Sequence, residues 1–214
     1  MKPETTRIFE ELFERYPALA ACRADVAAAF DVLAESFRSG GKVLVCGNGG
    51  SAADAEHIVG ELLKSFKKRR PVPGAVADAL AAQGADGAAL VGRLEGALPA
   101  VSLVSMSGII TAFANDVAWE TAFAQQTLGL ARKGDVLIAL STSGNSANCV
   151  AAARVAHAAG ARAIAFTGSC DSKLSEVCDV TLRAPATETF KVQEFHLPLY
   201  HALCAMIEAE LFVL

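Results

Sequence analysis

The chain has 214 residues, 53% of them hydrophobic and 20% charged, with 19 basic and 23 acidic side chains for a formal charge of −4. At that length and apolar content it can bury a full core as one domain, 1–214, which excludes disordered and fibrous classes. The acidic balance is the wrong sign for a nucleic-acid binder, and no apolar run approaches the roughly 20 residues of a membrane span.

The first residues include Glu4, Glu10 and Glu11 where a signal peptide would carry its apolar stretch, so a cytoplasmic location is expected. Ile8, Phe9, Leu12 and Phe13 fall at helical spacing, which predicts a first helix over 5–15 ended by Pro17. Val26, Phe30, Leu33 and Phe37 continue a helical pattern from Leu19 until Ser39-Gly40-Gly41 breaks it. Two N-terminal helices within 1–40 therefore precede the first strand.

Lys42 to Cys46 is a short β-branched run that feeds into Gly47-Asn48-Gly49-Gly50-Ser51 and then a helix predicted over 52–66. The basic stretch 63–70 has a helical pattern and reads as a solvated helix end, favourable to the helix dipole. Residues 71–99 are rich in Ala and Gly; they read as an insertion, either a surface loop with one short helix or a lid over a site. Strands are expected at 100–104, 136–140, 163–167 and 180–183, with a helix over 147–159 closed by Gly160. Strands alternating with helices predict a parallel sheet covered on both faces. The six cysteines, Cys22, Cys46, Cys149, Cys170, Cys178 and Cys204, contain no C-x-x-C pair and are expected to be reduced and structural. The two N-terminal helices and the apolar C-terminal helix carry more apolar surface than one sheet can cover, which predicts a homo-oligomer.

Ligands of open parallel sheets sit beyond the carboxyl ends of the strands, where helix N-termini present free N–H groups. Two polar loops occupy that position. Ser141-Thr142-Ser143-Gly144-Asn145-Ser146 offers four hydroxyls and no acid, and reads either as a turn with an N-cap or, more in keeping with six small polar residues after a buried strand, as an anion cradle. In the other loop Asp54 is placed to cap the following helix and disfavours an adjacent phosphate. Phosphate is therefore assigned to 141–146 and sugar hydroxyls to Asn48, Gly49 and Gly50. Gly47-x-Gly49-x-x-Ala52 also fits a relaxed dinucleotide fingerprint, but the acid that should follow about 20 residues later is replaced by the basic run, so no nucleotide cofactor is expected. His57 and Glu61 share one helix face a turn apart, a spacing suited to metal binding or proton transfer as well as to a plain surface pair. Gln193, Glu194, His196 and His201 form a second polar cluster on an apolar helix.

Taken together, Cys-Gly-Asn-Gly-Gly-Ser at 46–51 with His57 and Glu61, Asn115-Asp116, Ser-Thr-Ser-Gly-Asn-Ser at 141–146, and Gln193-Glu194 with His196 and His201 resemble the phosphoheptose (sedoheptulose 7-phosphate) isomerases of the sugar isomerase, or SIS, superfamily, over roughly residues 5–212. The resemblance implies a three-layer α/β/α sandwich on a roughly five-stranded, flavodoxin-like parallel sheet. It also implies a homotetramer with sites completed by neighbouring subunits. It places a phosphosugar on Asn48, Gly49, Gly50, Ser51, Glu61, Asn115, Asp116, Ser141, Thr142, Ser143, Ser146 and Gln193, and makes Glu61 and His201 the proton-transfer residues. It further implies zinc on His57, Glu61, Gln193 and His201, although glutamine is a poor zinc ligand. The implied reaction converts sedoheptulose 7-phosphate to glycero-manno-heptose 7-phosphate through an ene-diolate. The alternative is a non-catalytic regulatory relative of the replication-initiator-associating type, which would not need His57, Glu61 and His201. Pro198 inside the C-terminal helix is expected to kink it and to move His201 relative to Gln193.

Overall fold

A computed structural model describes residues 1–212. The strands β1 (Val43–Gly47), β2 (Ala100–Ser102), β3 (Val136–Leu140), β4 (Arg162–Thr167) and β5 (Val180–Arg183) form one sheet in the order β2-β1-β3-β4-β5. Every pairing is parallel. The helices are α1 (Pro3–Arg15), α2 (Arg23–Arg38), α3 (Gly50–Leu63), α4 (Gly74–Ala81), α5 (Ala85–Val91), α6 (Ser107–Asp116), α7 (Ala122–Leu130), α8 (Ala147–Ala158), α9 (Lys173–Val177) and α10 (Thr189–Leu211).

The two-residue period of the strands splits their side chains between two cores. Val43, Val45, Ile138 and Phe166 pack with α1, α2, α3 and α10 on one face. Leu44, Cys46, Leu137 and Ala165 pack with α7, α8 and α9 on the other. The result is the expected three-layer α/β/α sandwich, with β1 and β3 buried along their whole length. Among the described residues no helix is long and apolar enough to cross a membrane.

Because β2 lies on one side of β1 and β3 on the other, the sheet reverses its order between β1 and β3, which is its topological switch point. Gly47 and Leu140 are the last residues paired there. The two polar loops therefore leave the sheet side by side.

Several local expectations are corrected. The second helical stretch is divided into a 3-10 turn at Pro17–Cys22 followed by α2. The helix predicted to 66 stops at Leu63, and 64–70 is not helical. Nor is that stretch simply solvated: the Arg70 side chain is wholly buried, and its guanidinium donates to the carbonyls of Leu62 at 2.7 Å and Glu61 at 2.9 Å. Those bonds satisfy the free carbonyls that end any helix, so the chain folds back instead of continuing the spiral. The 71–99 segment holds two short helices rather than one; α4 buries no residue and α5 only Gly87, so neither helix buries a side chain. The base of this excursion is fastened by Gly96 N–H to Arg70 O and Leu98 N–H to Leu62 O, at the end of the sheet opposite the two loops. It is therefore not a lid over the loops of its own chain. The surplus apolar surface is only partly where expected: α1 and α10 pack on each other, and Phe190 and Leu197 of α10 are exposed, but so are Val76, Leu90, Leu94, Val117, Trp119 and Leu128.

Candidate active site

At the switch point the two loops are clamped together. Asn48 Nδ2 donates to Asn148 Oδ1 at 2.9 Å, and Asn148 Nδ2 returns a bond to Asn48 Oδ1 at 2.8 Å. Within the serine loop, Ser141 Oγ lies 2.8 Å from Ser146 Oγ and 3.5 Å from Ser143 Oγ, so three hydroxyls converge. Gly144 turns the loop with φ +66°, and a Cβ there would come within 2.1 Å of Ser172 Oγ, so the turn requires glycine. The converging hydroxyls stand over the start of α8, whose first N–H groups lack intrahelical acceptors and carry the positive end of the helix dipole. No acid lies in the loop. The arrangement suits a phosphate.

On the neighbouring loop, Gly50 lets Gln193 approach to a distance no side chain would permit; a Cβ on Gly50 would be 2.4 Å from Gln193 Nε2. Gln193 Nε2 donates to Asp54 Oδ2 at 3.3 Å. Asp54 does not cap α3, as the sequence suggested: Gly49 is the N-cap and no side-chain cap bond is present. Asp54 is instead buried between α3 and α10, where burial raises its pKa against the lowering effect of bonds from Gln193 and Tyr200.

Two turns further along, α3 presents His57 and Glu61. The Glu61 carboxylate is 10% exposed and lies 3.2 Å from His57 Nε2 and 2.9 Å from Lys64 Nζ. The His201 ring meets the His57 ring edge-on with centroids 5.0 Å apart, and Phe66 lies against its other side at 5.4 Å. Burial lowers the His201 pKa, and the charges of His57 and Arg15 act in the same direction while Glu61 opposes them. His201 Nε2 is buried without a hydrogen-bond partner. The same imidazole lines a cavity of about 230 Å³ between α1 and α10, with Arg15, Tyr16 and Lys67 on its walls.

The predicted residues thus fall into separate groups. Asn48, Gly49, Gly50, Ser51, Ser141, Thr142, Ser143 and Ser146 lie at the switch point, with Gln193 beside them. His57, Glu61 and His201 cluster at the far end of α3. Asn115 and Asp116 are exposed at the end of α6 and bonded to each other at 2.8 Å. Pro198 does not break α10, which runs unbroken from Thr189 to Leu211. Gln193 and His201 are nevertheless about 12 Å apart along that helix, eight residues at 1.5 Å each. Among the described residues no three His, Cys, Asp or Glu side chains are gathered closely enough to hold a metal ion. The donor types of His57, Glu61 and His201 suit zinc and His201 Nε2 is free to bind, whereas Gln193 belongs to the Asp54 contact. Sequence reasoning missed Asn148, Tyr200 and Arg70. The second Asn three residues after Asn145 was the only available hint, since burial of the other two depends on tertiary packing.

An SIS-domain family profile matches residues 107–209, and a second SIS-domain profile matches 9–96. The phosphoheptose isomerase of Burkholderia pseudomallei is 39% identical over 98% of this chain and 96% of its own. That of Rhodospirillum rubrum is 35% identical over 97% of each. The structure of phosphoheptose isomerase GmhA from Neisseria gonorrhoeae superposes with a TM-score of 0.71 at 32% identity, covering 96% of this chain and 94% of that one. A Francisella tularensis phosphoheptose isomerase gives 0.72 at 27%, covering 98% and 100%. With its fold, its two loops at the switch point and its full-length relatives in agreement, the chain belongs to the phosphoheptose isomerase family of SIS-domain proteins.

Proposed function

We propose that this protein is an aldose-ketose isomerase acting on sedoheptulose 7-phosphate and yielding glycero-manno-heptose 7-phosphate. The observation that carries the reading is the buried Glu61 carboxylate set against His57 and the His201 imidazole, in a chain that also holds a three-hydroxyl anion cradle at its switch point. A non-catalytic binder needs the cradle alone.

The reaction removes a proton from the carbon beside a carbonyl and returns it to the neighbouring carbon through an ene-diolate. Glu61 is the base that shuttles this proton, and its shielding from water keeps the carboxylate from being screened. His201, held toward its neutral form, moves the proton between the two substrate oxygens; each such transfer contributes typically ~10²–10⁴-fold. The hydroxyls of Ser141, Thr142, Ser143 and Ser146 bind the phosphate, and Asn48, Gly49, Gly50, Ser51 and Gln193 face the sugar. The donor types of His57, Glu61 and His201 suit zinc, which would polarise the carbonyl if these side chains, too far apart for an ion as they stand, closed on it.

Glu61 lies ten residues along α3 from Ser51, about 15 Å at 1.5 Å per residue. A seven-carbon sugar phosphate, with bonds of about 1.5 Å, extends roughly 10 Å from C1 to phosphorus. We therefore read one chain's cradle and the same chain's Glu61 as parts of different sites, each completed by a second copy, as a homotetramer with Asn115 and Asp116 facing a neighbour's sugar would allow. A cytoplasmic location belongs to this reading and is supported by six unpaired thiols, four of them buried. Incubation with sedoheptulose 7-phosphate, followed by chromatographic separation of the isomers, tests the proposal; absence of an aldoheptose phosphate product would overturn it.

A further inference from the structure

We propose that the cavity between α1 and α10 is a subsite for the polyhydroxylated chain of the sugar, with Arg15, Tyr16 and Lys67 as further substrate-binding residues. The cavity holds about 230 Å³, and the His201 imidazole forms part of its wall. A ligand that brings its reacting end to His201 can therefore extend into this space. At roughly 30 Å³ per water the cavity has room for about eight waters, enough for a few carbons with their hydroxyls and too little for a whole phosphosugar. The phosphate is left outside, where the cradle of a second copy can take it. The identity of the sugar rests on the isomerase reading.

The walls match a polyol in kind. Each carbon of such a chain carries an apolar C–H and a hydroxyl that both donates and accepts. Ile8, Leu12 and Leu197 supply an apolar side, while the Glu11 carboxylate accepts, Arg15 and Lys67 donate, and the Tyr16 phenol does both. The donors are partly set in place. Arg15 lies over the Tyr16 ring, 5.3 Å from its centre, and the Lys67 backbone N–H is bonded to the buried Glu208 at 2.8 Å. The Lys67 ammonium is also uncommitted. Lys64 and Lys68 on either side pair with Glu61 and Glu4, whereas among the described residues Lys67 has no ion-pair partner. A second phosphate in this space would face the Glu11 carboxylate, which lies 3.6 Å from Arg15. Hydroxyls can bond to groups of either sign.

Arg15 and Lys67 are exposed, so Arg15→Met and Lys67→Met should fold as the wild type does. Each is expected to raise KM for sedoheptulose 7-phosphate about five- to tenfold, as for one exposed hydrogen bond to a charged group, and to change kcat less than about twofold. Binding without turnover is read by methylating the lysines with ¹³C-formaldehyde and a reductant, which keeps each amine cationic, and Lys67→Arg identifies the Lys67 signal. Sedoheptulose 7-phosphate should shift that signal, and inorganic phosphate alone should leave it in place. In an active enzyme, an unmoved Lys67 signal, an unchanged KM in both variants, or an equal shift with inorganic phosphate overturns the proposal. If the wild type binds the sugar phosphate and shifts Lys67 without isomerising it, the isomerase reading fails and the subsite stands. If the wild type neither binds nor isomerises it, both are overturned.

Discussion

Arg70 and Glu208 form an ion pair sealed from solvent, with Nε and Oε1 2.8 Å apart and side chains 0% and 1% exposed. Glu208 also accepts the backbone N–H groups of Phe66 and Lys67 at 2.8 Å and of Lys68 at 3.2 Å. The pair thereby joins α10 to the end of α3 that carries Glu61 and holds Phe66 against His201. Breaking such a pair leaves an uncompensated buried charge, which costs about 3–5 kcal/mol. Arg70→Met and Glu208→Leu should each lower stability to urea by that order, with Glu208→Leu the worse because three N–H groups lose their acceptor as well. Urea denaturation at matched protein concentration measures this, and a loss below 1 kcal/mol in either variant would contradict it.

Glu61→Gln removes the base while retaining the shape of the side chain. It should abolish turnover and leave phosphosugar affinity within about tenfold, because most substrate contacts lie elsewhere. Retention of more than a tenth of the wild-type kcat would show that another group takes the proton.

How far the sequence reveals the molecule follows from which residues act locally. The alternation of short β-branched runs with helical segments is a local signal, so β1 and β3, their loops and the three-layer arrangement are legible in it. Asp54 was misread because its position in the first turns of a helix suggests capping, whereas Tyr200 and Gln193 reach it from 146 and 139 residues away. Arg70 likewise belongs to a charged run whose neighbours are partly solvated, and only the distant Glu208 explains its burial. The separation of Glu61 from the serine loop is a consequence of helix length, which a list of motifs in chain order does not convey.

His196 is wholly buried, with Nε2 3.2 Å from the carbonyl of Thr167 and Nδ1 unpartnered; burial pushes its pKa down to about 4 from an ordinary 6.5. The folded state thus binds this proton more weakly than the unfolded state. Its contribution is fully present above pH 6.5 and is lost as pH falls from there through about 4. At 1.36 kcal/mol per unit, roughly 2 kcal/mol should disappear between pH 7 and pH 5, above the range in which most carboxylates titrate. Denaturation of wild type and His196→Gln across this interval should show the difference, and parallel stability curves for the two proteins would refute it.

The proposed zinc is expected to raise activity without being required for folding. The two hydrophobic cores do not include His57 or Glu61, and Glu61 already has Lys64 as a partner. Treatment with a chelator should therefore lower turnover and leave the melting temperature within a few degrees, with activity restored by added zinc. Unfolding on chelation would reveal a structural site, and unchanged activity in verified metal-free protein would leave Glu61 and His201 as a purely organic acid-base pair.

The distance between the serine loop and Glu61 leads to the most discriminating test. Ser143→Ala and Ser146→Ala should each weaken binding of a phosphorylated ligand by roughly 1–2 kcal/mol, the loss of one hydrogen bond to a charged group, without affecting a dephosphorylated sugar. Ser143→Asp goes further, because a carboxylate in the cradle repels the phosphate and should inactivate the protein. If each site combines the loop of one copy with Glu61 of another, mixing Glu61→Gln with Ser143→Asp subunits repairs some sites. At equal amounts and random assembly, half the sites have an intact loop and half of those an intact Glu61, so about a quarter of wild-type activity should return. The subunits must be unfolded and refolded together so that they exchange, and light scattering of the product should show an oligomer. No recovery in a verified mixed oligomer would mean that the loop and Glu61 of a single chain act on the same substrate.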